Sequence, residues 1–233
     1  MIVKYNCFRS KCTGDVYGVL NLNKPVTNES LKSDDGLVNT PNEYKRPKRF
    51  DGRTTKLTSW EKEWIENHWR LDPPLHWYHT NEFGGRVAMS IRSPLYKHRG
   101  WVLRDIKGSE STKALMYVDD GEVPLCWYRD PKAPNACTVV VEDIPSALKA
   151  AQYVTNAVAL LGTGLGPDRA LEIARWGHRP IMLMLDNDAT SYSFKYAEEH
   201  SLLWGKTRIV PLRKDLKYMS PENVEDLIIR SLP

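Results

Sequence analysis

From residue 137 to the end of the chain, short apolar runs alternate with amphipathic stretches, and this alternation constrains the fold more than any other feature of the sequence. Residues 137–141 form a β-branched run, 145–153 have helical spacing, 157–161 read as a short strand and 167–176 as a helix. An apolar strand at 180–185, a helix at 191–200, a strand at 208–212 and a helix at 220–232 follow. The last helix has Ser220 as its N-cap and Pro221 at its first position. A crossover between parallel strands needs a connection of helical length, so this order predicts a parallel sheet flanked by helices.

The first half has a different character. Residues 21–58 are rich in Asn, Pro, Ser, Thr and Lys, with no sustained period, and read as a linker. Within them Lys45, Arg46, Lys48, Arg49, Arg53 and Lys56 outnumber Glu43 and Asp51, as in a solvated stretch of charge or a basic arm that touches phosphates. Residues 59–71 carry Trp60, Trp64, Ile65, His68, Trp69 and Leu71 at helical spacing, which predicts an amphipathic helix with its tryptophans in the core. Strands are expected at 85–91 and 101–106, joined by a turn at 97–100, and at 125–128. The expected organisation is a hairpin or ribbon at 1–20, a linker at 21–58, a small basic α/β subdomain at 59–135 and the alternating α/β domain at 136–233.

Composition removes whole classes. Hydrophobic residues make up 41% of the 233 and charged ones 27%, and no apolar run approaches the ~18–20 residues that span a bilayer. The first residues lack the apolar core of a secretory signal, so a cytoplasmic protein is expected. Four cysteines are too few to staple a chain of this length. A net charge of +4 permits a polyanionic partner without requiring one.

The chemistry concentrates in the α/β half. The strand at 180–185 runs into Asp186-Asn187-Asp188, and the run at 138–141 into Glu142-Asp143. Ligands of open parallel sheets bind beyond the carboxyl ends of the strands. If the two strands are parallel neighbours, Glu142, Asp186 and Asp188 converge at one edge, and converging like charges are costly without a cation. Oxygen ligands of this kind suit Mg²⁺ or Mn²⁺. Asp215, after the last strand, is a candidate fourth carboxylate. Asp143 reads as helix N-terminal charge. The glycines of 161–167 read as a tight strand-to-helix turn, or as backbone N–H groups offered to phosphate.

A strand ending in Glu, a helix, a Gly-containing turn, a strand ending in Asp-x-Asp and a further strand followed by Lys214-Asp215 together resemble the TOPRIM domain over about residues 136–218. Upstream, Gly85-Arg86 opening a strand, Gly100 to Arg104, and the segment around Lys113 look like the basic blocks that precede TOPRIM in bacterial and phage primases. Tyr5-Asn6-Cys7-Phe8 and Lys11-Cys12-Thr13-Gly14-Asp15 are similar to the second half of a primase zinc ribbon. No upstream Cys or His pair completes a tetrahedral site with Cys7 and Cys12, which leaves open a zinc site with shared ligands and a metal-free remnant or hairpin.

The resemblance implies a small primase without a helicase motor, of the kind encoded by phages or mobile elements in a bacterial cell. Asp186 and Asp188 would hold Mg²⁺ or Mn²⁺, with Glu142 as ligand or base and Asp215 at the same metal site. Arg86, Arg104 and Lys113 would hold the single-stranded DNA template and nucleoside triphosphates. A replicative helicase or polymerase is the expected partner, and no membrane is involved. The alternatives are a TOPRIM nuclease, in which the same carboxylates direct water, and a non-catalytic single-strand binder that stacks bases on Trp60, Trp64, Trp69 and Trp77.

Overall fold

The computed structural model describes residues 50–110, 112–118, 123–162 and 164–232. The expected ribbon with Cys7 and Cys12 lies outside the described residues, as do Lys45, Arg46, Lys48 and Arg49 of the basic arm.

The described residues build two five-stranded sheets. The first is an antiparallel meander in sequence order: β1 (Thr55–Lys56), β2 (Trp77–Thr80), β3 (Arg86–Arg92), β4 (His98–Arg104) and β5 (Ala114–Val118). The strands expected at 85–91 and 101–106 are β3 and β4, the latter starting earlier, at His98. β1, β2 and β5 are not among the strands expected from the sequence. β5 is apolar at every position and partly buried along its whole length, so it carries no period of two.

Between β1 and β2 runs α1 (Ser59–Trp69), opened by a capping box. The Thr58 hydroxyl accepts the Glu61 N–H at 3.2 Å, and Glu61 Oε2 accepts the Thr58 N–H at 2.8 Å. Ile65 and Trp69 are buried, and the Trp69 ring meets Trp77 edge-on at 6.0 Å. The core assignment of the tryptophans therefore holds for Trp69 but not for Trp60, which is 46% exposed. Packing also begins inside the expected linker. Phe50 and Leu57 are buried, and the Phe50 ring stands edge-on to Trp101 at 5.8 Å on the outer face of the first sheet. Arg53 and Lys56 are exposed, and Arg53 pairs with Asp51 at 2.7 Å.

The second sheet has the order β10-β9-β7-β8-β6. β7 (Asn135–Val141), β8 (Val154–Ala159), β9 (Ile181–Leu183) and β10 (Thr207–Ile209) are parallel, as the alternation requires, and β6 (Cys126–Arg129) is antiparallel to β8 at the edge. β6 falls on the amino-terminal side of the expected 135/136 boundary, yet belongs to the second sheet.

Side-chain alternation sends the two faces into different layers. Val139, Val141, Ala157, Ala159 and Met182 pack with α2 (Ile144–Ala150), α6 (Pro221–Ser231), α1 and the inner face of the first sheet. Val140, Val158, Ile181 and Leu183 pack under α3 (Pro167–Trp176), α4 (Thr190–Glu199) and the single turn α5 (Ser201–Trp204). A parallel sheet covered on both faces is the arrangement such strands need. Ser220 caps α6 and Pro221 opens it, as expected. No helix among the described residues is long and apolar enough to cross a membrane.

Candidate active site

β7 and β9 are parallel neighbours, with Val140 opposite Leu183, so both leave the sheet at the same edge. The Met184 N–H donates to the Val140 carbonyl at 2.9 Å and extends the ladder by one step. Beyond it, the Asp186 N–H donates to Glu142 Oε1 at 3.0 Å, which brings Glu142 and Asp186 together across the strand ends. Glu142 is fixed from its other side. The Leu161 N–H donates to its carbonyl at 2.8 Å from the turn after β8, where Leu161 takes a left-handed conformation (φ 55°). Asp188 lies exposed in the 3₁₀ turn 187–189 that leads into α4.

Gly166 and Pro167 open α3, and the Arg169 guanidinium donates to the carbonyls of Leu160 and Gly164.

Two electrostatic environments meet at this edge. Burial, and then the charge of Asp186, push the Glu142 carboxyl up to about 7. Burial also pushes Asp186 up to about 6; Lys217 opposes the rise, and Asp215, Asp143 and Asp188 add to it. Asp143 and Asp215 are treated differently. The Lys217 ammonium, buried at 2% exposure, donates to Asp143 Oδ2 and Asp215 Oδ2 at 2.6 Å each. Against the effect of burial, Lys217 and Arg104 hold Asp143 down to about 2, and the two carboxylates raise the Lys217 ammonium despite its own burial. Asp143 also caps α2, accepting the Ser146 N–H at 2.9 Å, as its helix N-terminal reading predicts.

Lys149 on α2 is fully buried. Its ammonium donates to the carbonyls of Lys217 and Met219 at 2.8 and 2.6 Å and so pins the turn that carries Lys217. Burial pushes it down to about 8. Neither Lys217 nor Lys149 is singled out by the sequence, because Lys217 stands 74 residues from Asp143 and Lys149 sits 68 residues before the carbonyl of Lys217.

No three His, Cys, Asp or Glu side chains among the described residues form a ready ligand set. The donor chemistry nonetheless fits a hard divalent cation. Glu142 and Asp186 offer only oxygen, and both are held above the ordinary carboxylate range by burial and by neighbouring negative charge, which a cation relieves. Asp215, expected as a further ligand, already gives one oxygen to Lys217. Cys126 and Cys137 are buried free thiols, pushed by burial up to about 12 and 11, and act as packing residues.

A cavity of about 260 Å³ opens between α1, the end of β4 and the 216–218 turn, walled by Trp64, Trp69 and Tyr218, with Arg104 and Lys113 as its basic and Asp105 and Glu110 as its acidic lining residues. It adjoins the acidic cluster: Arg104 acts on Asp143, and the Lys217 ammonium lies 5.1 Å from the centre of the Tyr218 ring. Arg104 and Lys113 are thus brought together, but Arg86 does not join them in lining this cavity. Arg86 is buried at 2% exposure with Nε donating to the Phe83 carbonyl at 3.0 Å, and Asp105 and Glu110 are its nearby charges. It opens β3, a strand with six of its seven residues buried.

No protein-family model and no curated protein sequence matches the chain. Solved structures do. The zinc-binding and RNA polymerase domains of the Aquifex aeolicus primase superpose with a TM-score of 0.53 at 17% identity, over 67% of this chain and 44% of that one. A DnaG catalytic core matches with a TM-score of 0.50 at 21% identity, over 66% of this chain and 57% of that one. A DnaG primase catalytic domain bound to ssDNA gives 0.50 at 22% identity, over 64% and 52%. The chain spans about half the length of these proteins. With an antiparallel meander followed by a parallel sheet whose strand ends gather Glu142 and Asp186, the chain has the TOPRIM fold of primase catalytic cores.

Proposed function

We propose that the protein is a DNA primase, a metal-dependent nucleotidyltransferase that makes short primers on single-stranded DNA. The observation that carries this reading is a carboxylate edge, Glu142 and Asp186 held together across two strand ends, joined through Asp143 and Asp215 to an aromatic-walled cavity that Arg104 and Lys113 line together with Asp105 and Glu110. A nuclease also has to hold its strand, but a polymerising site must in addition seat a triphosphate against a template.

Glu142, Asp186 and Asp188 would hold the Mg²⁺ or Mn²⁺. When bound, the ion supplies neutralising charge for the triphosphate and the departing pyrophosphate. Arg104 and Lys113 bind phosphate oxygens and orient them toward the sheet edge, and Trp64 and Tyr218 supply flat apolar walls against which a base packs. Glu142 Oε1 accepts the Asp186 N–H, so Oε2 is the atom available either to ligate or to take the proton of the attacking 3′-hydroxyl. Cys7 and Cys12 belong in this reading to a template-selecting ribbon remnant, and elemental analysis for zinc decides whether it is metallated. A replicative helicase or polymerase would take over the primer.

The test is incubation of the full chain with labelled nucleoside triphosphates, Mg²⁺ or Mn²⁺ and single-stranded DNA. Short labelled oligomers are expected from the wild type and none from Asp186→Asn. Degradation of the strand would establish the nuclease, and a mobility shift without new product a binding protein; either overturns the reading.

A further inference from the structure

Five carboxylates stand at or near this sheet edge, and the protein treats them as two groups. Asp143 and Asp215 are neutralised from within, each 2.6 Å from the Lys217 ammonium, with Arg104 acting on Asp143 and Lys113 near both. Among the described residues, no basic side chain pairs with Glu142, Asp186 or Asp188, although the field of Lys217 reaches Asp186. The ammonium is not an opportunistic visitor. Lys217 is buried, its backbone lies in a 3₁₀ turn, and that turn is clamped by a second buried lysine, Lys149, through the carbonyls of Lys217 and Met219. A buried ammonium between two carboxylates fills both electrostatically and sterically the place where a metal ion bridging them would sit.

We propose that Lys217 is a built-in cation that occupies one of the two cation positions this acidic edge offers, so that the chain binds a single divalent ion, at Glu142, Asp186 and Asp188, and none between Asp143 and Asp215. The inference rests on the metal-dependent reading above, but it concerns the number of ions and not the reaction. It also assigns Asp215 a different task from ligation: with Asp143 it holds the ammonium in place.

Mn²⁺ binding to the full chain, counted by equilibrium dialysis with the electron paramagnetic resonance signal of free Mn²⁺ as readout, tests this without any turnover. Wild type should bind one ion that is lost in Asp186→Asn. Asp215→Asn should keep that one ion, because Asp143 still holds the ammonium. Lys217→Met should raise the count to two, and Lys217→Arg should leave it at one. Two Asp186-dependent ions in the wild type, or loss of an ion in Asp215→Asn, overturn the proposal, and the Asp215→Asn arm stands even if Lys217→Met fails to fold. Two ions together with primer synthesis would defeat the single-ion assignment alone, whereas no bound ion at all would defeat both it and the metal-dependent reading.

Discussion

Glu142 and Asp186 are carboxylates whose native environment favours the proton. Glu142 rises from 4.5 to about 7 and Asp186 from 3.8 to about 6, so the native state binds protons more tightly than the unfolded chain does, and ionising these two groups costs stability as pH climbs through that window. Asp143 has the opposite sign: lowered to about 2, it contributes stability that is present above pH 3.8 and lost as pH falls through its native value. A divalent cation competes with the protons on the first pair. Mg²⁺ should therefore raise the melting temperature clearly at pH 8 and little at pH 5, with the difference much reduced in Glu142→Gln; equal stabilisation at both pH values would contradict the assignment. The three carboxylates were legible in the sequence because each follows an apolar run that had to be a strand. Lys217 was not, since its partner Asp143 is remote along the chain, and Lys149, within Ala-Leu-Lys-Ala, looks like any solvated helical lysine until the fold buries it.

At the scale of elements, one carboxylate joins the first helix to the first sheet. Glu61 closes the capping box of α1 with Oε2, and its Oε1 lies 2.8 Å from His79 Nδ1 on β2, while His79 Nε2 lies 2.8 Å from Asn81 Oδ1. Burial disfavours the charged ring, but the bonds to Glu61 and Asn81 prevail and raise it above 6.5. The stability this pair contributes is fully present below pH 6.5 and is lost as pH rises through the raised native value. Glu61→Gln should cost about 1–3 kcal/mol in urea unfolding, more at pH 6 than at pH 8; a cost independent of pH would mean that the ring is neutral throughout. The Thr-x-x-Glu signature was present in the sequence, one residue inside a segment whose composition reads as linker. The parallel half was far more legible than the meander, because helices force long, periodic spacing between its strands, whereas β1 has two residues and β2 four, too few to show a period.

At the scale of the whole molecule, the two sheets share one interior. Val87, Met89 and Ile91 of β3 belong to the same apolar cluster as Val139, Val141 and Met182 of the second sheet, and β6 leaves the first half to close the edge of the second. A fragment of residues 136–233 would lose the β6 edge and expose that shared face, and it should be insoluble or bind a hydrophobic dye, whereas residues 50–233 should unfold in a single cooperative transition. The strand order has a consequence in time as well as in space. The meander pairs neighbours in sequence, but β7 finds its partner β9 only after α2, β8 and α3 have been made. A chain still emerging from the ribosome can pair the strands of its first sheet early, yet must carry that sheet's apolar face uncovered until the second half arrives. The carboxylate edge is among the last parts to assemble, so a truncated translation product would hold an exposed greasy surface and no chemistry.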